Sequence, residues 1–291
     1  MRYAITHATR FIYEAPVRFA RCNLRLRPID FDGQRLEDQA FSIEPAAATR
    51  ARHAGYPVAT TRIVVERPST GLLIESRAHV VVDRVAPTPL PGDPSVAEAA
   101  RGAREAADLS ELAPANYLFP SPLIAAFPDI AAWCGRELQP DRGVVEAGLA
   151  LARAIKAGFV YDGSATEFDT SPAEAFAKRH GVCQDFAQIM ISGARSAGLA
   201  AAYVSGYLRT IPPPGKPRLV GADATHAWVL LWCGPARGWI GFDPTNGVTM
   251  GADHIVTGIG RDYGDVAPID GIFLGRDGQQ IDVSVDVEPL D

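Results

Sequence analysis

Four prolines fall within the eight residues Pro87-Thr88-Pro89-Leu90-Pro91-Gly92-Asp93-Pro94. Neither a strand ladder nor a helix runs through such a segment, because proline has no amide hydrogen and its ring clashes with the preceding turn. One kind of order must stop there and another begin. Ahead of the break, short segments alternate at period two, as in Tyr3-Ala4-Ile5-Thr6-His7, Gln39-Ala40-Phe41-Ser42-Ile43 and Thr60-Thr61-Arg62-Ile63-Val64-Val65, separated by Pro, Gly and Asp clusters. Strands of that length and spacing predict an antiparallel sandwich over residues 1–88. After the break the chain turns alanine-rich and helical in tendency, firmest over residues 144–155. A second unit is therefore expected over 95–291, opening with a helical subdomain at 95–157, and the fold class is α+β.

Within the second unit, Gly181-Val182-Cys183-Gln184-Asp185-Phe186-Ala187 marks a helix start. Ahead of it, Ser171-Pro172-Ala173-Glu174 reads as a capping box opening a short helix that Gly181 ends. After Cys183, the residues Phe186, Ile189, Met190, Gly193, Ala194 and Ala197 recur at three and four, the period of a helix buried along one face. Cys183 is thereby expected in the first turn, where unpartnered amides and the positive end of the macrodipole favour a thiolate over a thiol. The Cys183 amide would meet a developing oxyanion.

A nucleophile needs a base. Thr225-His226-Ala227-Trp228-Val229-Leu230-Leu231-Trp232 reads as a strand, Cys233 to Gly238 as turn chemistry, and Trp239-Ile240-Gly241-Phe242-Asp243 as the returning strand, stopped by Pro244. A hairpin centred between Gly234 and Pro235 sets His226 directly opposite Asp243, with Cβ atoms about 4.5–5.5 Å apart. Cys183, His226 and Asp243 then stand in the chain order of a nucleophile, its base and the base's orienter. Alone, the cysteine would be read as a buried structural residue and Asp243 as the head of an Asx turn. The cross-strand partnership of His226 and Asp243 argues together against that Asx-turn reading and against His226 being a strand-end histidine with no task.

The run GVCQDFA, the later HAWV and the closing GWIGFDPTNG resemble the bacterial transglutaminase-like family, whose core is a papain-like Cys-His-Asp fold. Phe159-Val160-Tyr161, residues 201–208 and residues 260–268 resemble its flanking blocks, and His7, Thr9, Tyr13 and Arg27-Pro28 its N-terminal domain. One departure is His53-Ala54-Gly55-Tyr56-Pro57, where that domain has an acidic-Phe-Gly-Asn turn. The resemblance implies a Cys-His-Asp site acting on peptide or protein substrates. Hydrolysis as a peptidase or amidase is preferred, and cross-linking of glutamine to a primary amine is the alternative. It also places Asp262 and Tyr263 near the cleft. Nothing resembles the pantetheine-binding pattern of the arylamine N-acetyltransferases, and a silent peptide-binding module would have no chemical need for all three residues.

Other features bound the reading. A formal charge of -6 with mixed signs gives nucleic acid no basic track to follow. No signal-peptide pattern or apolar span of membrane length is seen, so the cytoplasm is the expected location. Cys22, Cys134, Cys183 and Cys233 form no C-x-x-C pair, and the histidines no H-E-x-x-H, so neither metal, cofactor nor disulfide framework is expected. His7 and His79 are expected to satisfy a backbone carbonyl or sit half exposed rather than to bind a ligand, Arg21, Arg25 and Arg27 to form a solvated or salt-bridged face, and Asp185 to serve either as a helix cap or in catalysis, with equal weight. Trp228 and Trp232 are expected in the core, with a channel wall as the other reading. Residues 211–217, rich in proline, read either as a cleft rim or as a surface insertion.

Overall fold

A computed structural model of the chain describes residues 1–53, 55–163, 170–210, 224–275 and 278–290. The proline-rich loop at 211–217 lies outside the described residues.

The N-terminal strands are β1 (Arg2–Val17), β2 (Ala20–Leu24), β3 (Gln34–Glu44), β4 (Ala48–Arg52), β5 (Thr60–Val65) and β6 (Ser69–Val82). The second unit adds α1 (Val96–Glu105), α2 (Pro128–Cys134), α3 (Val144–Gly158), β7 (Val160–Tyr161), α4 (Pro172–Lys178), β8 (His180–Gly181) and α5 (Cys183–Ser196). It continues with β9 (Ala201–Leu208), β10 (Ala224–Trp232), β11 (Trp239–Asp243), β12 (Val248–Thr249), β13 (His254–Gly260) and α6 (Tyr263–Val266). Two last strands follow, β14 (Ile269–Phe273) and β15 (Gln279–Pro289). The class is α+β, as the change of pattern at the prolines implies.

Two four-stranded sheets, ordered β15-β1-β6-β3 and β14-β2-β5-β4, face each other, and a five-stranded sheet ordered β12-β11-β10-β9-β13 carries the helices. The expected division at 95–291 needs correcting at its end. Strand β15 pairs with β1, from Tyr3↔Pro289 to Tyr13↔Gln279, and β14 pairs with β2. The chain thus returns to complete the sandwich it began with, because the outer sides of β1 and β2 would otherwise be unpaired edges.

The long strands β1 and β6 serve two cores. At one end Tyr13, Leu72 and Ile74 pack with Leu24 and Ile63 inside the sandwich. At the other end Tyr3, Ile5, Val80 and Val82 pack against Tyr207 and Ile255 of the five-stranded sheet. A sandwich that shares a core with its neighbour cannot swing freely. The proline segment is strapped down too: Arg237 donates to Asp93 Oδ1 at 2.7 Å and to the Thr88 carbonyl at 2.9 Å.

Helix α5 is the centre of the second unit. From Asp185 to Arg195 every residue is buried, the mark of a helix enclosed on all sides rather than along one stripe. Its close fit to α2 is made at Gly193, where an added Cβ would lie 2.3 Å from the Cys134 sulfur. His79 is on the surface with Asp38, at 2.9 Å, Arg25 pairs with Asp270, and Trp228 and Trp232 are both in the core.

Candidate active site

Cys183 is the first residue of α5, after an extended Val182, and its side chain is half-buried. Two details of the approach differ from expectation. Helix α4 ends at Lys178, with Arg179 taking the left-handed conformation at φ 58°, so Gly181 is no helix stop. Its lack of a side chain serves Asp185 instead: a Cβ on Gly181 would lie 2.7 Å from Asp185 Oδ2. That oxygen accepts the Val182 amide at 2.8 Å, which caps α5 from its third residue, one of the two roles expected of Asp185. Ser171 does accept the Glu174 amide at 3.2 Å, but the Glu174 carboxylate takes Lys178 Nζ at 2.8 Å rather than closing a box.

His226 lies in β10 and Asp243 ends β11. The hairpin register departs from a centre between Gly234 and Pro235. The pairs run from Trp232↔Trp239 to Val229↔Phe242, which moves the centre to between Pro235 and Ala236. The cause is the turn, where Gly234 and Gly238 both take positive φ and Gly238 bonds back to the Gly234 carbonyl at 2.8 Å. Moving the centre by one residue shifts the pairing by two, so His226 and Asp243 become diagonal neighbours while staying on one face. Their side chains still meet, His226 Nε2 to Asp243 Oδ2 at 2.9 Å.

Asp243 is fully buried and every free lone pair direction is used. Oδ1 accepts the backbone amides of Thr245 at 2.9 Å and Asn246 at 3.1 Å. Oδ2 takes Asn246 Nδ2 at 2.7 Å, His226 Nε2, and His254 Nε2 at 3.2 Å. The Asx turn and the partnership with His226 are therefore not rivals; the turn fixes one oxygen and so aims the other. Burial alone would raise the carboxyl's pKa, but the hydrogen bonds from His226, His254 and Asn246 outweigh it and hold Asp243 well below the usual carboxylate range. For His226, burial lowers the pKa, while hydrogen bonding and charge from Asp243 and Cys183 raise it further, leaving it at about 10. With Nε2 on the carboxylate, Nδ1 is the ring nitrogen left for the sulfur.

The structure thus brings Cys183, His226 and Asp243 together around one imidazole. Trp228 stacks behind it, ring centroids 6.0 Å apart at 28°. Tyr161, Tyr203 and Tyr263 surround the cysteine: burial raises the pKa of each and the Cys183 charge raises it further. Tyr203 and Tyr263 meet edge to face at 6.2 Å. Asp262 does not line a cleft. It is buried, caps α6 through Gly264 and accepts the Leu123 amide at 3.0 Å. Sequence reasoning missed His254, which neither spacing nor neighbouring residues mark, and gave no role to Asn246, although it stands in the GWIGFDPTNG run. Among the described residues no three His, Cys, Asp or Glu side chains are grouped to hold a metal, and no helix is long and apolar enough to cross a membrane.

Against this geometry, residues 3–81 match the model of the bacterial transglutaminase-like N-terminal region and residues 133–244 that of the transglutaminase-like superfamily. An uncharacterized protein of Mycobacterium tuberculosis is 38% identical over 297 residues, covering 100% of this chain and 93% of the other. One of Mycobacterium leprae is 29% identical over 299 residues, covering 99% of each. A crystal structure from Cytophaga hutchinsonii, described as a candidate cysteine protease, superposes with a TM-score of 0.73 at 18% identity, covering 100% of this chain and 92% of that one. That likeness shows the fold.

Proposed function

The chain belongs to the transglutaminase-like superfamily, with the bacterial transglutaminase-like N-terminal region ahead of its core, and from that premise we propose that it is a cysteine-dependent acyl-transfer enzyme that hydrolyses peptide or amide bonds. The observation that carries the reading is the single imidazole of His226, held by Asp243 on one side and bearing the influence of Cys183 on the other. An imidazolium so favoured stabilises a thiolate beside it.

The Cys183 thiolate attacks the amide carbonyl, forming the C–S bond. Negative charge gathers on the carbonyl oxygen, near the Cys183 backbone amide, which at the first helical position has no intrahelical acceptor. His226 gives its proton to the nitrogen as the C–N bond breaks, and the amine leaves. A thioester and a neutral imidazole remain. His226 then takes a proton from water as its oxygen attacks the thioester, releasing the carboxylic acid and restoring the thiolate and imidazolium. Asp243 holds the ring so that Nδ1 faces the sulfur in both halves. The exposed Tyr161 and the half-buried Tyr263 flank the route to the sulfur and would touch a bound peptide. The four cysteines are unpaired, in keeping with action in the reducing cytoplasm.

Replacing water by a primary amine in the second half turns the same site into a cross-linking transglutaminase. Incubation with a glutamine-peptide library, with and without a primary amine, distinguishes the two. Hydrolysis gives new acids and free amines or ammonia whether or not the amine is added, and amine-dependent adducts would instead assign transamidation. No product under either condition, with Cys183 intact, would overturn the reading.

A further inference from the structure

We propose that His254 is a positioning residue for Asp243, and that the N-terminal sandwich holds it in place; this rests on the reading of Cys183, His226 and Asp243 given above. His254 opens β13, on a different strand from both members of the hairpin pair, and is buried to 5% exposure. Its ring is fixed by two hydrogen bonds. The Gly251 amide donates to Nδ1 at 3.3 Å. A ring nitrogen that accepts an N–H carries no proton, so the proton of the neutral ring is on Nε2. Nε2 therefore donates to Asp243 Oδ2 at 3.2 Å. The same oxygen receives His226, so two imidazoles share it while their ring centroids sit 6.3 Å apart, tilted by 52°. His254 and Trp228, the ring stacked against His226, also meet edge to face at 5.2 Å and 75°. His254 thus fixes the carboxylate oxygen that aligns the base and packs on the wall behind that base.

The turn carrying His254 is held largely from the other unit. Arg84, which follows β6, donates through Nη1 to the carbonyls of His254 at 3.1 Å and Gly251 at 3.4 Å, while its Nε and Nη2 bind the carbonyls of Asp32 at 2.8 Å and Phe31 at 3.2 Å. Tyr3 of β1 donates to the Ala252 carbonyl at 3.2 Å. Backbone carbonyls at 31 and 32, in the sandwich, and at 251 and 254, beside the site, are thereby tied through one buried guanidinium. The N-terminal region acts in this account as a brace on the orienter of the base, which gives it a role in the chemistry without a contact to substrate.

The test uses the full chain, iodoacetamide at pH 6, where an ordinary thiol is protonated, and mass spectrometry to read Cys183. In His254→Gln an amide N–H can replace Nε2–H, whereas in His254→Asn the shorter side chain cannot reach Oδ2. The Asn variant should lose about tenfold or more in alkylation rate at an unchanged thermal midpoint, and the Gln variant should stay within about threefold of the parent. Parent-like alkylation of the Asn variant overturns the positioning role. A second measurement needs no variant: nitrogen chemical shifts at pH 8 should show the His254 ring protonated on Nε2, and the Nδ1-protonated form would overturn the proposal even if His254→Asn failed to fold. Should Cys183 of the parent react no faster than Cys22, it is the functional reading that fails rather than the role of His254.

Discussion

His226 and Asp243 are not opposite one another across their hairpin, yet their side chains meet at 2.9 Å. The diagonal works because Asp243 is aimed by its own turn, Oδ1 being held by the amides of Thr245 and Asn246. In Asp243→Asn those two bonds can persist, but an amide nitrogen toward His226 would repel Nε2–H and favour the other ring tautomer. Turnover should fall by about 10²–10⁴, while Cys183 remains open to slow alkylation. Full activity in this variant would remove Asp243 from the site.

Cys183→Ala removes a half-buried sulfur from the start of a helix whose stability comes from the residues behind it, Phe186, Ile189 and Met190. Turnover should vanish. The thermal midpoint should move by no more than about 4 °C, since the truncation is worth about 1 kcal/mol at most at such a position. Loss of folding would mark Cys183 as structural.

The sequence carried the elements of the site better than their joining. Proline at 87–94, the alternation of β1 and the period of α5 are local signals, each readable within a few residues. The register of the β10–β11 hairpin is not, because it depends on Gly234 and Gly238 both adopting positive φ and either could have served a different turn. The return of β14 and β15 to the sandwich is a contact across more than 240 residues, from Ile269↔Leu24 to Tyr3↔Pro289, and alternation gives a strand without naming its partner. His254 was invisible for the same reason: the oxygen it binds belongs to another strand, and nothing local to His254 names it.

Gly206 is where β9 lets the wall behind His226 approach. A Cβ there would stand 2.1 Å from the Ile255 carbonyl oxygen and 2.5 Å from Trp228 Cη2. The first neighbour is backbone and cannot swing away. Gly206→Ala should therefore destabilise the protein by about 3 kcal/mol, read as a lower urea midpoint, and an unchanged midpoint would show that the sheet yields at no cost.

His7 gives a pH signature of the sandwich. It is buried, its Nε2 shares a hydrogen bond with Thr9 at 2.9 Å, and burial lowers its pKa from 6.5 to about 4. Between those values the unfolded chain binds the proton and the folded chain does not. The stability His7 supplies is thus complete above pH 6.5 and is lost as pH falls toward 4, in total about 3 kcal/mol. His7→Gln should flatten that part of the stability profile relative to the parent, measured by urea unfolding at intervals from pH 7.5 to 4; equal slopes in the two proteins would show that His7 is not buried neutral.

The central claim is that His226 keeps Cys183 as a thiolate. Its most direct test is the alkylation rate of Cys183 by iodoacetamide at pH 6, compared between the parent and His226→Gln under conditions where both are folded. Cys183 in the parent should be alkylated selectively over Cys22, Cys134 and Cys233, and the His226→Gln rate should be lower by about 10²-fold, the effect expected when a nucleophilic cysteine loses its imidazole partner. Equal rates in the two proteins would mean that the sulfur and the imidazole are neighbours without being a catalytic pair.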